Sequence, residues 1–166
     1  MLRLFGKVTE SITDGPGIRY AIFTQGCPHY CPGCHNPESH SFTDGYLESE
    51  ERIIADILAN PLLDGVTFSG GEPFMQAAEL AVVAEAVRAR GLHVMVYSGY
   101  TMEELLTLSE ERRGYSALLL ATDILVDGRF DEKRKSLDLR FRGSSNQRVI
   151  DVPKTLSTGR ISLAEL

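Results

Sequence analysis

Three cysteines are the only thiols in the 166-residue chain, and all fall within eight positions, as Cys27-x3-Cys31-x2-Cys34. Thiolates bind soft or borderline metals, chiefly iron–sulfur clusters and zinc. A cubane cluster has four irons, normally held by four cysteines. Three thiolates leave one iron without a protein sulfur. A substrate bound there would turn an electron carrier into a catalyst. His29, His35 and His40 stand nearby, so a Cys3His structural zinc is the competing reading. Zinc ligands more often arrive as two separated pairs, and a compact trio on one loop suits a cubane better. Pro28, Pro32 and Gly33 shape a loop rather than a core element, which argues against three unligated core thiols. An odd number of crowded cysteines does not make a disulfide framework. It fits a reducing cytoplasm and a metal site.

Ser69-Gly70-Gly71-Glu72-Pro73 reads on its own first as a tight strand-to-helix turn, and second as a turn that meets a ligand. Glycine lets the backbone come close to a ligand, and the Glu72 carboxylate suits a positively charged amino group. A tight strand-to-helix turn would use the same Gly-Gly pair. It is not a phosphate loop, because the G-x-x-x-x-G-K-[ST] pattern is missing.

These residues need elements to carry them. Ile18 to Gln25 is rich in β-branched and aromatic residues and reads as the first strand, with the cysteine loop at its C-terminal end. Glu48 to Ala59 reads as a helix, Gly65 to Ser69 as a strand, Gln76 to Arg90 as a helix closed by Gly91, and Leu92 to Tyr97 as a strand. Thr101-x-x-Glu104 is a capping box that opens a helix toward Leu108. Ser116 to Val126 is apolar and at least partly strand. Residues 129–142 carry both charge signs and read as solvated surface. Arg148 to Val152 is a last strand. Met1 to Thr13 gives only a mildly apolar stretch. One domain over 1–152 is predicted, with 153–166 as a tail without a structural signal. Strands alternating with helices predict a mostly parallel sheet. Ligands in such folds gather beyond the C-terminal strand ends, where the cysteine loop, the Gly-Gly-Glu turn, Tyr97 to Tyr100 and Asp127-Gly128 would meet.

Apolar residues make up 43% and charged residues 24%, ordinary for a soluble globular protein. The net charge of −6 argues against a general nucleic-acid or anionic-membrane surface. The N-terminus has no long apolar stretch, and Ala117 to Val126 is short and carries Asp123, so no targeting segment or membrane span is expected.

The Cys27-x3-Cys31-x2-Cys34 spacing resembles the signature of the radical S-adenosylmethionine (SAM) superfamily. Asp14-Gly15-Pro16-Gly17-Ile18-Arg19, Gly26 to Asn36, Ser69 to Pro73, Ile124 to Gly128 and Arg142 to Gln147 together resemble the glycyl-radical enzyme activases that serve anaerobic ribonucleoside-triphosphate reductase. The likeness runs from residue 14 to 147. It implies an α/β fold, a partial (open) β/α barrel of about five or six mostly parallel strands. It implies a 4Fe-4S cluster on Cys27, Cys31 and Cys34, and SAM as co-substrate beside Gly33, His35, Gly70, Gly71, Glu72 and Asp127. It implies an external one-electron donor, and a docking role for Asp14, Gly15, Pro16 and Gly17 toward the large reductase subunit. Nucleic acid and membrane are not implied as partners, and the cytoplasm is the implied location. Two alternatives remain: activation of another glycyl-radical enzyme of the formate lyase type, and a non-enzymatic zinc-binding adaptor. Gly33 stands where many superfamily members carry an aromatic residue. Tyr97-Ser98-Gly99-Tyr100 replaces the Asp-Thr-Asn-Gly stretch of formate lyase activases.

Overall fold

A computed structural model describes residues 1–166. Its strands are β1 (Leu2–Ser11), β2 (Arg19–Thr24), β3 (Tyr46–Glu48), β4 (Gly65–Gly70), β5 (His93–Tyr97), β6 (Ile124–Asp127) and β7 (Arg148–Asp151). Its helices are α1 (Glu50–Leu58), α2 (Ala77–Arg88), α3 (Met102–Leu108), α4 (Tyr115–Leu120) and α5 (Val152–Thr158). All strands join one sheet in the order β3-β1-β2-β4-β5-β6-β7, with unpaired ends, so the barrel stays open. The central β2, β4, β5 and β6 are parallel, each linked to the next by a crossover that carries helix. The outer pairs β1/β2, β1/β3 and β6/β7 are antiparallel.

The sheet is therefore wider than the five or six strands expected. β1 and β3 were not expected as strands, and both exist by pairing along one edge. The apolar run before β6 is helix α4, with Tyr115, Leu118 and Leu119 buried, and only Ile124–Asp127 is strand. Residues 153–166 are also structured. Asp151 caps α5 by accepting from the Lys154 amide at 3.0 Å, and Gly159 ends the helix in the left-handed region. Leu163 then bridges to Ile150, and the Ala164 amide donates to Val149 O at 2.9 Å.

The two faces of the sheet differ. Tyr20, Ile22, Val66, Phe68, Val94, Val96, Leu125 and Ile150 alternate onto one face, at most 1% exposed, in one core with residues of every helix. Full burial of such side chains contributes roughly 1.5–3 kcal/mol each. The other face holds the rows Ala21–Thr67–Met95–Ile124 and, one step toward the C-terminal edge, Phe23–Ser69 and Tyr97–Val126. Loops cover this face. The turn at 12–18 folds over it, with the Thr67 hydroxyl donating to Asp14 O at 2.7 Å. Phe141, Val149 and Ala164 pack on Met95, Ile124 and Val126.

Candidate functional site

The cysteine loop springs from the C-terminal end of β2 and returns on itself. The Gln25 side-chain amide donates to Glu38 O (2.9 Å) and Ser41 O (2.7 Å). The Gly26 amide donates to Ser39 O (2.7 Å) and the Cys27 amide to His40 O (3.0 Å). These bonds tie both feet of the loop to one point on the sheet edge. Gly26 at φ 110° makes a turn that an L side chain rarely adopts, and Tyr30 at φ 48° bends the chain between the first two cysteines.

Cys27, Cys31 and Cys34 are free thiols lining one cavity of about 330 Å³. Its opposite wall is built by Gly70, Gly71, Ser98 and Gly99, and its floor by the side chains of Phe23, Ser69 and Tyr97. Burial pushes the Cys27 thiol up to about 11, against the amides of His29 and Tyr30, which point at its sulfur and favour the thiolate. Burial also raises Cys31, opposed by the Phe130 amide. A metal would release these protons on binding.

The donor set fits a cubane. The three thiols ring a shared space, whereas no group of three Cys, His, Asp or Glu side chains closes round a point that would hold a single ion. Backbone N–H groups aimed at the sulfurs are the kind of contact that sets the potential of an iron–sulfur centre.

Gly70 and Gly71 are required by the meeting of two loops. A Cβ on Gly70, at φ 101°, would lie 2.7 Å from Phe23 C. One on Gly71 would lie 2.9 Å from Gly26 C and 3.0 Å from Ser39 O, all backbone atoms. The Gly71 amide donates to Thr24 O and the Glu72 amide to Gly26 O, both at 2.8 Å. The glycine turn is thus pressed against the foot of the cysteine loop, and both glycines also line the cavity.

Glu72 and Asp127 turn away from the cavity. Glu72 is fully buried, and its carboxylate is filled by donors from His29, Phe74, Ser98 and Gly99. Asp127 accepts from the Met102 amide at 2.8 Å, at the start of α3, and from Arg148 at 3.1 and 2.5 Å. Its neighbour Gly128 lines the cavity instead. Gly33, at φ 74°, lies behind the wall against Glu132. His35 does line the cavity, with its ring 5.5 Å from that of Phe130.

Of the turn at 14–17, only Asp14 faces the cavity. Gly15 packs on Arg19, and Gly17 on Asp64. Arg19, 1% exposed, holds this turn down: it donates to Pro16 O (3.0 Å), Thr67 Oγ1 (2.7 Å) and Val66 O (2.8 Å). Burial lowers its pKa to about 10. Gln147 lines the cavity and staples the segment after β6. Its Oε1 accepts from the Gly143 and Ser144 amides at 2.9 and 3.2 Å, and its Nε2 donates to Gly128 O at 3.0 Å. Phe23 was not expected at the site, and Tyr97 only as the start of the Tyr97 to Tyr100 turn. Their signal is parity, since with Ser69 they point to the same face from the C-terminal ends of adjacent strands.

A family model described as a 4Fe-4S single cluster domain matches residues 13–150. Relatives named anaerobic ribonucleoside-triphosphate reductase-activating protein include that of Vibrio cholerae, 34% identical over 145 residues, covering 82% of this chain and 89% of the relative. That of Pasteurella multocida is 36% identical over 148 residues, with the same 82% and 89% coverage. The solved structure of QueE from Escherichia coli aligns with 60% of this chain and 53% of its own, at 18% identity and a TM-score of 0.48.

Proposed function

This chain belongs to the family of anaerobic ribonucleoside-triphosphate reductase-activating proteins, a 4Fe-4S single-cluster family, and from that premise we propose that it installs a glycyl radical on the reductase by radical SAM chemistry. The observation that carries the reading is the wall of three thiols, and three only, facing the Gly70-Gly71 backbone across one open cavity. When bound, the cluster supplies one-electron cleavage of a carbon–sulfur bond of SAM, which yields methionine and the 5′-deoxyadenosyl radical that takes hydrogen from glycine.

The chain's own residues hold, orient and shield. Cys27, Cys31 and Cys34 ligate. The amides of His29, Tyr30 and Phe130 donate toward the sulfurs. Gly70 and Gly71 offer backbone at a wall where no side chain intrudes. His35 and Phe130 form an aromatic flank suited to an adenine ring, with Gly33 supporting it from behind. Asp14 presents a carboxylate at the side where a glycine loop of the reductase enters, on the turn built by Gly15, Pro16 and Gly17. Asp127 serves through Gly128. An external reductant delivers the electron. The cytoplasm is the proposed location, on the crowded, unpaired cysteines; no helix is long and apolar enough to cross a membrane.

The test is anaerobic mixing of iron- and sulfide-reconstituted protein with a reductant, SAM and the reductase. A glycine-centred electron-spin signal on the reductase is expected. Stoichiometric zinc without sulfide would overturn the cluster, and a signal on formate lyase but not on the reductase would overturn the partner.

A further inference from the structure

Glu72 is 0% exposed, and its two oxygens collect donors from three parts of the chain. Oε1 accepts from His29 Nε2 at 2.7 Å, Ser98 Oγ at 2.9 Å and the Gly99 amide at 2.8 Å. Oε2 accepts from the Phe74 amide at 3.0 Å and Ser98 Oγ at 3.0 Å. A carboxylate offers about four lone-pair sites. Four donor groups occupy them, and none is left for the amino group of a ligand.

His29 is the unusual member of that set. It lies midway between Cys27 and Cys31, and its side chain is only 5% exposed. The imidazole is held on three sides. Glu72 accepts its Nε2–H, Tyr100 stands edge-on with ring centroids 4.6 Å apart, and Gly99 leaves so little room that a Cβ there would lie 2.7 Å from Nε2. The backbone amide of this same residue points at the Cys27 sulfur. Fixing the ring therefore fixes an N–H group aimed at a cluster ligand.

We infer that His29 and Glu72 form a latch that locks the span between the first two cysteines onto the turns after β4 and β5, making Glu72 a positioning residue for the cluster rather than a contact to SAM. This rests on the reading of the thiols as a 4Fe-4S site. Its consequence is a separation of effects. Breaking the latch at His29 alters the cluster's surroundings before SAM arrives, and leaves Glu72 still holding Ser98 and Gly99 in the cavity wall.

The experiment compares Glu72→Gln, His29→Leu and His29→Gln in reconstituted protein. The reduced-cluster electron-spin spectrum and midpoint potential are recorded without SAM, and SAM affinity is measured separately. Glu72→Gln and His29→Leu are expected to shift spectrum and potential in the same way, with SAM Kd of His29→Leu within about twofold of the parent. His29→Gln, which keeps a donor for Glu72, is expected to restore the parent spectrum. A Glu72→Gln protein with an unaltered spectrum and a SAM Kd raised tenfold or more would overturn the latch. So would a His29→Leu protein with the parent's spectrum and potential. Where a variant takes up no cluster, alkylation of Cys27 in the metal-free proteins decides. Faster labelling in His29→Leu than in the parent supports the latch, and equal labelling refutes it. Failure of the parent itself to take up iron and sulfide would refute the proposed function, and the labelling comparison would still decide the latch.

Discussion

Gly71→Ala tests how the two loops of the site are joined. Unlike Gly70, Gly71 has an ordinary φ, so the substitution adds no backbone strain of its own. What it adds is a methyl group 2.9 Å from Gly26 C and 3.0 Å from Ser39 O. Both are backbone atoms and cannot rotate aside. Moving the carbonyl carbon from 2.9 Å to an ordinary contact of 3.4 Å requires the loops to part by at least 0.5 Å. That displacement strains the 2.8 Å bond from the Glu72 amide to Gly26 O and the 2.7 Å bond from the Gly26 amide to Ser39 O. Overpacking costs about 1–3 kcal/mol, and a lost hydrogen bond about 1 kcal/mol more. A total near 3 kcal/mol lowers Tm by roughly 6–12 °C at this chain length. Thermal unfolding of the metal-free protein measures it, and iron and sulfide content after reconstitution shows the loop displacement directly. Gly6→Ala is the control, since a Cβ there has nothing within 4 Å, and its effect should stay within about 0.5 kcal/mol. A Gly71→Ala protein that melts with the parent and loads a full cluster would refute the reasoning.

Asp127→Ala should destabilise by about 1–2 kcal/mol, because it leaves the Met102 amide at the start of α3 without its acceptor and takes from Arg148 one of its two carboxylate partners; urea unfolding checks this, and a large loss of SAM affinity at unchanged stability would contradict it. Arg148 holds the Glu103 carboxyl, and Arg129 that of Glu104, below the ordinary value of 4.5. Depressed carboxylates add stability that is complete above their unfolded-state values and lost as pH falls through the folded ones. Tm should therefore fall modestly as pH drops through and below about 4.5, by less in high salt because both pairs are largely exposed; a Tm that rises on acidification would be the wrong sign. In metal-free protein Cys27 should be the last of the three thiols to alkylate at about pH 8, since burial pushes it up to about 11 and leaves roughly one thiolate per thousand; peptide mapping of labelled protein would show otherwise if Cys27 reacted first.

The cysteine loop was legible because all its donors lie in one continuous stretch, and the central strands because apolar runs such as Val94–Val96 sit between helical patterns. β1 was not legible. Its alternation, begun by Leu2-Arg3-Leu4, is broken at Phe5-Gly6 and again at Glu10, and it is a strand because β2 and β3 pair with it. The run from 116 to 126 was legible only in part, its strand at Ile124–Asp127 but not its helix α4, because a short apolar stretch reads equally as buried helix or strand. The fates of two acids were hidden by distance along the chain. Glu72 meets His29 across 43 residues and Gly99 across 27, and Asp127 meets Arg148 across 21. A carboxylate in a motif shows its charge in the sequence, but not which buried donors will consume it.

The two faces of the sheet also divide the protein by how easily each part opens. On one face, every helix is fastened by fully buried aliphatic side chains. On the other, the loops that make the site are held by hydrogen bonds at their feet and by close backbone contact. Regions with few buried apolar contacts open at lower free energy than the core. Amide exchange should therefore fall into two tiers, with Gly26 and Cys27 exchanging well before Val66, Phe68 or Val96. A protein so divided can lose a cluster to oxidation while its core stays folded, and be refilled without passing through the unfolded state.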